Sequence, residues 1–201
     1  MRSPCGEESV ALSLPGFGCP VPDGFTATKE EYVAWLIGEL ERFPALVDLV
    51  GHDWGCILVL RVTSLRPDLV RSWAAGSGPF SSDYVWHKNA QRWQTPEVSE
   101  RWMAAVDEDK MRASQLANGV AAAQATETAR HFDPLMKDCI LKLYRSARDP
   151  FRVWEPGLAD IVAPGLVLWG AEDPFVPVAF ADRLGEQARA RRVVKFADCG
   201  H

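Results

Sequence analysis

The stretch Leu46-Val47-Asp48-Leu49-Val50-Gly51-His52-Asp53-Trp54-Gly55-Cys56-Ile57-Leu58-Val59-Leu60-Arg61-Val62 decides how this chain folds. Residues Leu46 to Val50 are apolar enough for a buried strand, and Cys56 to Val62 are nearly apolar all round, as a buried helix is. Between them Gly51 and Gly55 flank a carboxylate in a Gly-x-nucleophile-x-Gly turn. A strand that turns abruptly into a helix holds the middle side chain strained and exposed, and glycines on either side leave room for the tight backbone. The familiar occupant of such an elbow is serine, but here it is Asp53. That substitution changes the chemistry. A carboxylate attacking saturated carbon forms an ester, whereas attack on a carboxylic ester would form an unfavourable anhydride. Standing alone, the same five residues also read as a turn with a helix-capping Asp, so the rest of the chain has to decide.

Outward from the elbow, short apolar runs alternate with helical patterns, which predicts an α/β fold with a parallel sheet. Upstream, Ser9 to Leu14 is the first candidate strand, ended by Pro15-Gly16-Phe17-Gly18 and a Pro/Gly-rich loop as far as Gly24. Thr28 and Glu31 have the spacing of a capping box. The helix behind them presents Val33, Leu36, Ile37, Leu40 and Phe43 on one face. Downstream, Arg66-Pro67-Asp68-Leu69 closes the elbow helix, and Val70 to Ala75 is a short strand. From 76 to 156 strand-like runs vanish in favour of helical stretches rich in Ala and Trp, notably Leu116 to Ala129 and Leu135 to Ala147. The sheet pattern resumes at Gly165 to Gly170, a continuous apolar run typical of a central parallel strand. A helix from Val178 to Ala188 and a strand from Val193 to Ala197 follow. The expected organisation is therefore a core in two parts, 1–75 and 157–201, around an all-helical insertion at 76–156.

Bulk properties narrow the function classes. A chain of 201 residues can bury one sizeable core, and 47% hydrophobic with 24% charged residues is ordinary for a globular protein. The net charge of −5 offers no basic patch for nucleic acid and no polybasic segment for a membrane. Cys5, Cys19, Cys56, Cys139 and Cys199 are odd in number, scattered and without metal-ligand spacing, which predicts reduced thiols in a cytoplasm. No run reaches transmembrane length, and no signal sequence opens the chain. Oligomeric state is not legible.

Two more polar residues fall where parallel sheets place their sites, at strand ends. Asp173 follows the run 165–170 in Gly170-Ala171-Glu172-Asp173-Pro174, and His201 follows the last strand in Asp198-Cys199-Gly200-His201. Each has a bland reading, Asp173 as a turn residue and His201 as a loose terminal one. Their order after Asp53 is nucleophile, acid, histidine. With its His-Asp-Trp-Gly elbow, Gly-x-x-Asp loop and Gly-His, the chain resembles the α/β-hydrolase fold, in the branch holding epoxide hydrolases and haloalkane dehalogenases.

The resemblance implies a flanked parallel sheet with an all-helical cap at 76–156, and a hydrolase acting on a small-molecule substrate, an epoxide or alkyl halide. It implies catalysis by Asp53, which forms an alkyl ester, and by His201, oriented by Asp173, which activates water to hydrolyse it. The Trp54 backbone N–H is expected to serve the oxyanion and its indole N–H a halide. Tyr144, in Leu143-Tyr144-Arg145, matches the cap tyrosine that protonates an epoxide oxygen, and Tyr84 lies near the second such position. The epoxide reading is favoured and the halide reading is the alternative. No metal or organic cofactor is expected. His52 is expected to be a structural hydrogen-bonding residue, and His87 and His131 to be solvated. The resemblance also implies strands ahead of the Pro-Gly-Phe-Gly loop, with a second oxyanion loop, and a helix after the histidine, neither of which the sequence contains. A fragment of a longer protein is expected on that ground, as is a reading of another class: a non-catalytic remnant or interaction protein.

Overall fold

The computed structural model describes residues 9–148 and 151–201; Cys5 lies outside them. Among them, β1 (Val47–His52), β2 (Val70–Gly76), β3 (Gly165–Gly170) and β4 (Arg192–Phe196) form one sheet in the order β1-β2-β3-β4. All three pairings are parallel. Helix α1 (Lys29–Leu40) packs on α2 (Trp54–Leu65), which lies against β1 and β2, while α9 (Ala179–Gln187) lies against β3 and β4. This is the sheet flanked by helices that the alternating pattern predicts.

The core sits where the apolar runs meet. Leu58, Leu60 and Val62 of α2 are almost wholly buried, as are Val167 and Trp169 of β3. The elbow strand differs from expectation. Val50 is 80% exposed, because β1 lies at the edge of the described sheet and covers only alternate side chains. Residues 9–14 form no ladder with any described strand. The loop after them is held instead by side chains, with the buried Tyr32 hydroxyl donating to the Pro15 carbonyl at 2.8 Å.

The N-terminus of α1 uses the expected residues in a different way. Thr28 Oγ1 accepts from the Glu31 N–H at 3.4 Å, but the Glu31 carboxylate reaches past the cap to the Thr26 N–H at 2.9 Å. Phe43 falls beyond the end of α1 and is partly exposed.

Between β2 and β3 the described chain is helical, with α3 (Lys88–Trp93), α4 (Val98–Ala105), α5 (Glu108–Ala117), α6 (Ala122–His131), α7 (Pro134–Ser146) and α8 (Phe151–Trp154), then a 3-10 turn at Glu155–Asp160. The expected single helix from Leu116 to Ala129 is two, broken at Gly119, whose φ of +82° no helix adopts. No helix among the described residues is long and apolar enough to cross a membrane.

Candidate active site

Asp53 joins β1 to α2 with φ +54° and ψ −119°. A non-glycine residue held there stores on the order of 1–3 kcal/mol of strain. Its N–H donates to the Gly76 carbonyl of β2 at 3.2 Å, and its carbonyl accepts from Ile57 at 3.3 Å, so both sides of the turn are pinned. The carboxylate makes no capping hydrogen bond to α2, which removes the helix-cap reading, and its side chain is 43% exposed. Gly51 is needed sterically, since a Cβ there would strike the Gly55 carbonyl. Gly55 is not, because a Cβ there would meet open space.

Asp173 is held by the loop after β3. Its Oδ1 accepts from the Phe175 and Val176 N–H groups at 2.9 and 3.0 Å, and its Oδ2 from His201 Nδ1 at 2.9 Å. The Trp169 indole braces the loop by donating to the Val176 carbonyl at 2.9 Å. Burial raises the Asp173 carboxyl, but the bonds from His201, Val176 and Phe175 prevail and hold it below its ordinary value. The segment carrying His201 is tied to the same loop by the Glu172 N–H, which donates to the Cys199 carbonyl at 2.9 Å.

His201 points its other nitrogen at the elbow, with Nε2 4.0 Å from Asp53 Oδ2. Burial disfavours the imidazolium, yet the hydrogen bond to Asp173 and the Asp53 carboxylate outweigh it and push His201 up to about 9. Three residues that are 120 and 28 positions apart in sequence thus converge at the C-terminal ends of β1, β3 and β4. The arrangement can hold a proton between two carboxylates and can pass it on.

An aromatic wall faces this trio. Tyr144 of α7 is buried edge-on to Trp54 at 5.3 Å and to Trp93 at 4.8 Å. Burial, and then the Asp53 charge, raise its hydroxyl above the ordinary value, so it stays protonated beside the carboxylate. Tyr84 is also buried, and burial first, then the Asp53 and Asp173 charges, push it up to about 12. Its hydroxyl donates to the Phe175 carbonyl at 2.9 Å, so its proton is already engaged. The Trp93 indole N–H is buried with no hydrogen-bond partner among the described residues; the buried Trp54 indole N–H lies beside the Tyr144 hydroxyl and acts on it.

Two histidines depart from the sequence reading. His52 is exposed and makes no hydrogen bond to a described residue; its ring lies against His201, centroids 4.6 Å apart. His87 is not solvated but half-buried, 5.0 Å from the Phe175 ring, which in turn is edge-on to His201 at 5.0 Å. It feels the charges of Asp53, His201 and Asp173. Only tertiary packing brings it there, and no spacing in the sequence signals it. His131 is as expected a surface residue, paired with Glu127 at 3.0 Å. No group of three or more His, Cys, Asp or Glu among the described residues is arranged to hold a metal ion.

Comparison with known proteins bears on the family and the fold. A family model described as "Alpha/beta hydrolase family" matches residues 3–201. The chain is 23% identical to an (E)-2-((N-methylformamido)methylene)succinate hydrolase of Acinetobacter baylyi, across 90% of this chain and 68% of that protein. It is 25% identical to epoxide hydrolase 3 of Xenopus tropicalis, across 92% of this chain but only 56% of that protein. In structure it is similar to a haloalkane dehalogenase of Bradyrhizobium elkani, with a TM-score of 0.72, 18% identity, and coverage of 94% of this chain and 72% of the other.

Proposed function

We propose, since the chain belongs to the alpha/beta hydrolase family, that it hydrolyses epoxides through an alkyl ester formed on Asp53. The observation that carries this reading is the strained Asp53 carboxylate 4.0 Å from His201 Nε2, with His201 Nδ1 bonded to Asp173. An elbow that spends backbone strain to expose a carboxylate, with an imidazole behind it, suits attack on saturated carbon.

In the first half-reaction an Asp53 oxygen bonds to an epoxide carbon, the ring C–O bond breaks, and its electron pair goes to the oxygen. The Tyr144 hydroxyl donates to that oxygen and supplies the proton, which it regains from solvent. His201 enters this step as imidazolium and balances the Asp53 charge. Esterification then neutralises Asp53 and removes one of the two anions that hold the proton on His201. The imidazolium gives this proton to solvent and becomes, as neutral imidazole, the base of the second half. It takes a proton from water, the water oxygen attacks the ester carbonyl, and cleavage of the acyl C–O bond frees diol and carboxylate. The Trp54 backbone N–H, at the first position of α2, suits the transient oxyanion.

The helical segment between β2 and β3 acts in this reading as a cap that carries Tyr144, Trp86 and Trp93 over Asp53 and limits water. A small-molecule substrate and a cytoplasmic setting belong to the same reading. The succinate hydrolase relative and the epoxide hydrolase relative carry different substrates in their names. Acyl transfer is disfavoured here because a carboxylate attacking an acyl carbon would leave an anhydride.

A second reading, alkyl halide hydrolysis, is favoured by the buried, unpaired indole N–H of Trp93, which with the indole N–H of Trp54 beside the nucleophile suits a leaving halide. One experiment separates all readings. The protein is mixed with a panel of epoxides and alkyl halides, intact mass is read for an adduct, and diol and halide release are assayed in parallel. An epoxide adduct absent from Asp53→Ala, with diol formation, is expected. Halide release alone would favour the second reading, and no adduct with any compound would favour a non-catalytic binding protein.

A further inference from the structure

Resting on the epoxide reading above, we propose that His87 is the second hydrogen-bond donor to the leaving oxygen, presenting its Nε2–H across Trp93 from the Tyr144 hydroxyl. The starting point is a mismatch. A single phenol is left to stabilise the oxygen, because the Tyr84 hydroxyl is committed to the Phe175 carbonyl at 2.9 Å. An alkoxide developing in a water-poor pocket gains most from donors fixed before the reaction. His87 has the position and the proton for this.

Its position follows from ring contacts. The Trp93 ring has Tyr144 edge-on at 4.8 Å and His87 edge-on at 6.0 Å, so the two polar rings share one indole. On its other side His87 meets Phe175 at 5.0 Å, and Phe175 meets His201 at 5.0 Å. His87 and Tyr144 both lie close enough to Asp53 to feel its charge.

Its proton follows from the start of α3. His87 is the N-cap, and its Nδ1 accepts the Ala90 N–H at 3.3 Å. Ser, Thr, Asp and Asn are the usual caps, and any of them would hold the helix without bringing a ring. With Nδ1 occupied as an acceptor, the neutral imidazole carries its hydrogen on Nε2. Burial also holds His87 below its ordinary value, so the ring is neutral and a donor at neutral pH rather than a third charge in the site. The cap therefore fixes both the tautomer and the tilt of the donor. His87 donates a hydrogen bond and keeps its proton; the proton transferred comes from Tyr144.

The test compares single-turnover kinetics of wild type, His87→Asn and His87→Gln. Asn retains a capping acceptor for Ala90 but is too short to reach the oxygen; Gln restores an N–H at about the reach of Nε2. Intact-mass time courses read formation and decay of the Asp53 ester separately, with a series of aryl epoxides whose opened alkoxides differ in basicity. His87→Asn is expected to slow ester formation on the order of 10²-fold for the most basic alkoxide. The defect should shrink as the alkoxide becomes less basic, decay of the ester should be unchanged, and Gln should recover part of the rate. An Asn variant that forms the ester at the wild-type rate overturns the proposal, with the Asp53 reading intact. So does a defect equal for every epoxide or present in ester decay, which would mark a structural role. Absence of any ester in wild type overturns the Asp53 reading itself, and this inference with it.

Discussion

His201 lies between the carboxylates of Asp173 and Asp53, whose charges favour its imidazolium. Its folded value of about 9 stands above the ordinary 6.5. The imidazolium is thus favoured by folding, and the stabilisation is fully present below pH 6.5 and lost as pH rises through about 9. Burial acts in the opposite direction, so the anions are what hold the proton. Removing one should release it. In Asp53→Asn the His201 titration, followed by imidazole 15N and 1H shifts, is expected to move down from about 9 toward 6.5, while the bond to Asp173 remains. A titration left near 9 would mean that Asp53 contributes nothing to the proton's affinity. The switch from imidazolium to base on esterification would then have no cause. At this scale the three polar residues at the strand ends were legible, because a carboxylate inside a glycine turn and a histidine after a strand leave a one-dimensional mark. His87 was not, since Trp93 is only six residues on but the ring that joins it to His201 is Phe175, 88 positions away.

Elements position that chemistry through the ends of strands, where small residues decide what can approach. Gly170 closes β3, and a Cβ on it would fall onto the carbonyls of Gly200 and Cys199, the two residues before His201. Those are backbone atoms that cannot rotate away. Gly170→Ala is therefore expected to push the segment away from β3 and draw His201 off Asp173. A displacement of about 1 Å can cost on the order of 10² in rate. Steady-state turnover should fall by that order while far-UV circular dichroism stays that of wild type. Gly55→Ala is the contrast at the other strand end, since its Cβ would meet nothing within 4 Å and the position lies inside α2. Thermal melting should show it neutral or more stable by up to about 1 kcal/mol. If both variants behaved alike, close approach at the end of β3 would not be what seats His201. The sequence signalled both glycines of the elbow, yet only Gly51 is sterically required, because the glycine pattern does not say which neighbour will come near.

Across the whole molecule, the parallel sheet could be read from alternating apolar runs, the expected strand at 9–14 apart, and the helical segment from their interruption; the strand order could not. What could not be read was how that segment is fastened to the sheet core. The fastening is a polar cluster. Glu155 accepts from Ser81 Oγ at 2.9 Å, from the Ser82 N–H at 2.8 Å and from Gln187 Nε2 at 2.9 Å. Arg183 of α9 joins it by donating to Ser81 Oγ at 2.9 Å and pairing with Asp83 at 2.7 Å. The chain after β2, the turn at 155–160 and α9 thus meet at one carboxylate whose side chain is only 17% exposed. Burial raises the Glu155 carboxyl, but the bonds from Ser82, Gln187 and Ser81 prevail and lower it. Its stabilisation is accordingly present above the ordinary carboxylate range and lost as pH falls through the folded value. Glu155→Ala takes the acceptor from the Ser82 N–H and Gln187, while Ser81 keeps Asp83 at 2.6 Å, a net loss of about 1–2 kcal/mol for partly buried hydrogen bonds to a charged group. For a chain of this size each kcal/mol shifts Tm by roughly 2–4 °C, so melting at neutral pH should fall by several degrees. The gap between variant and wild type should narrow on acidification, as the wild-type carboxylate itself takes up a proton. The junction also carries the chain that leads to Tyr84 and His87, so hydrogen exchange at residues 81–93 should quicken in the variant more than exchange in β3. Equal acceleration in both would mean that the helical segment and the sheet open as one unit, with no separate fastening at Glu155.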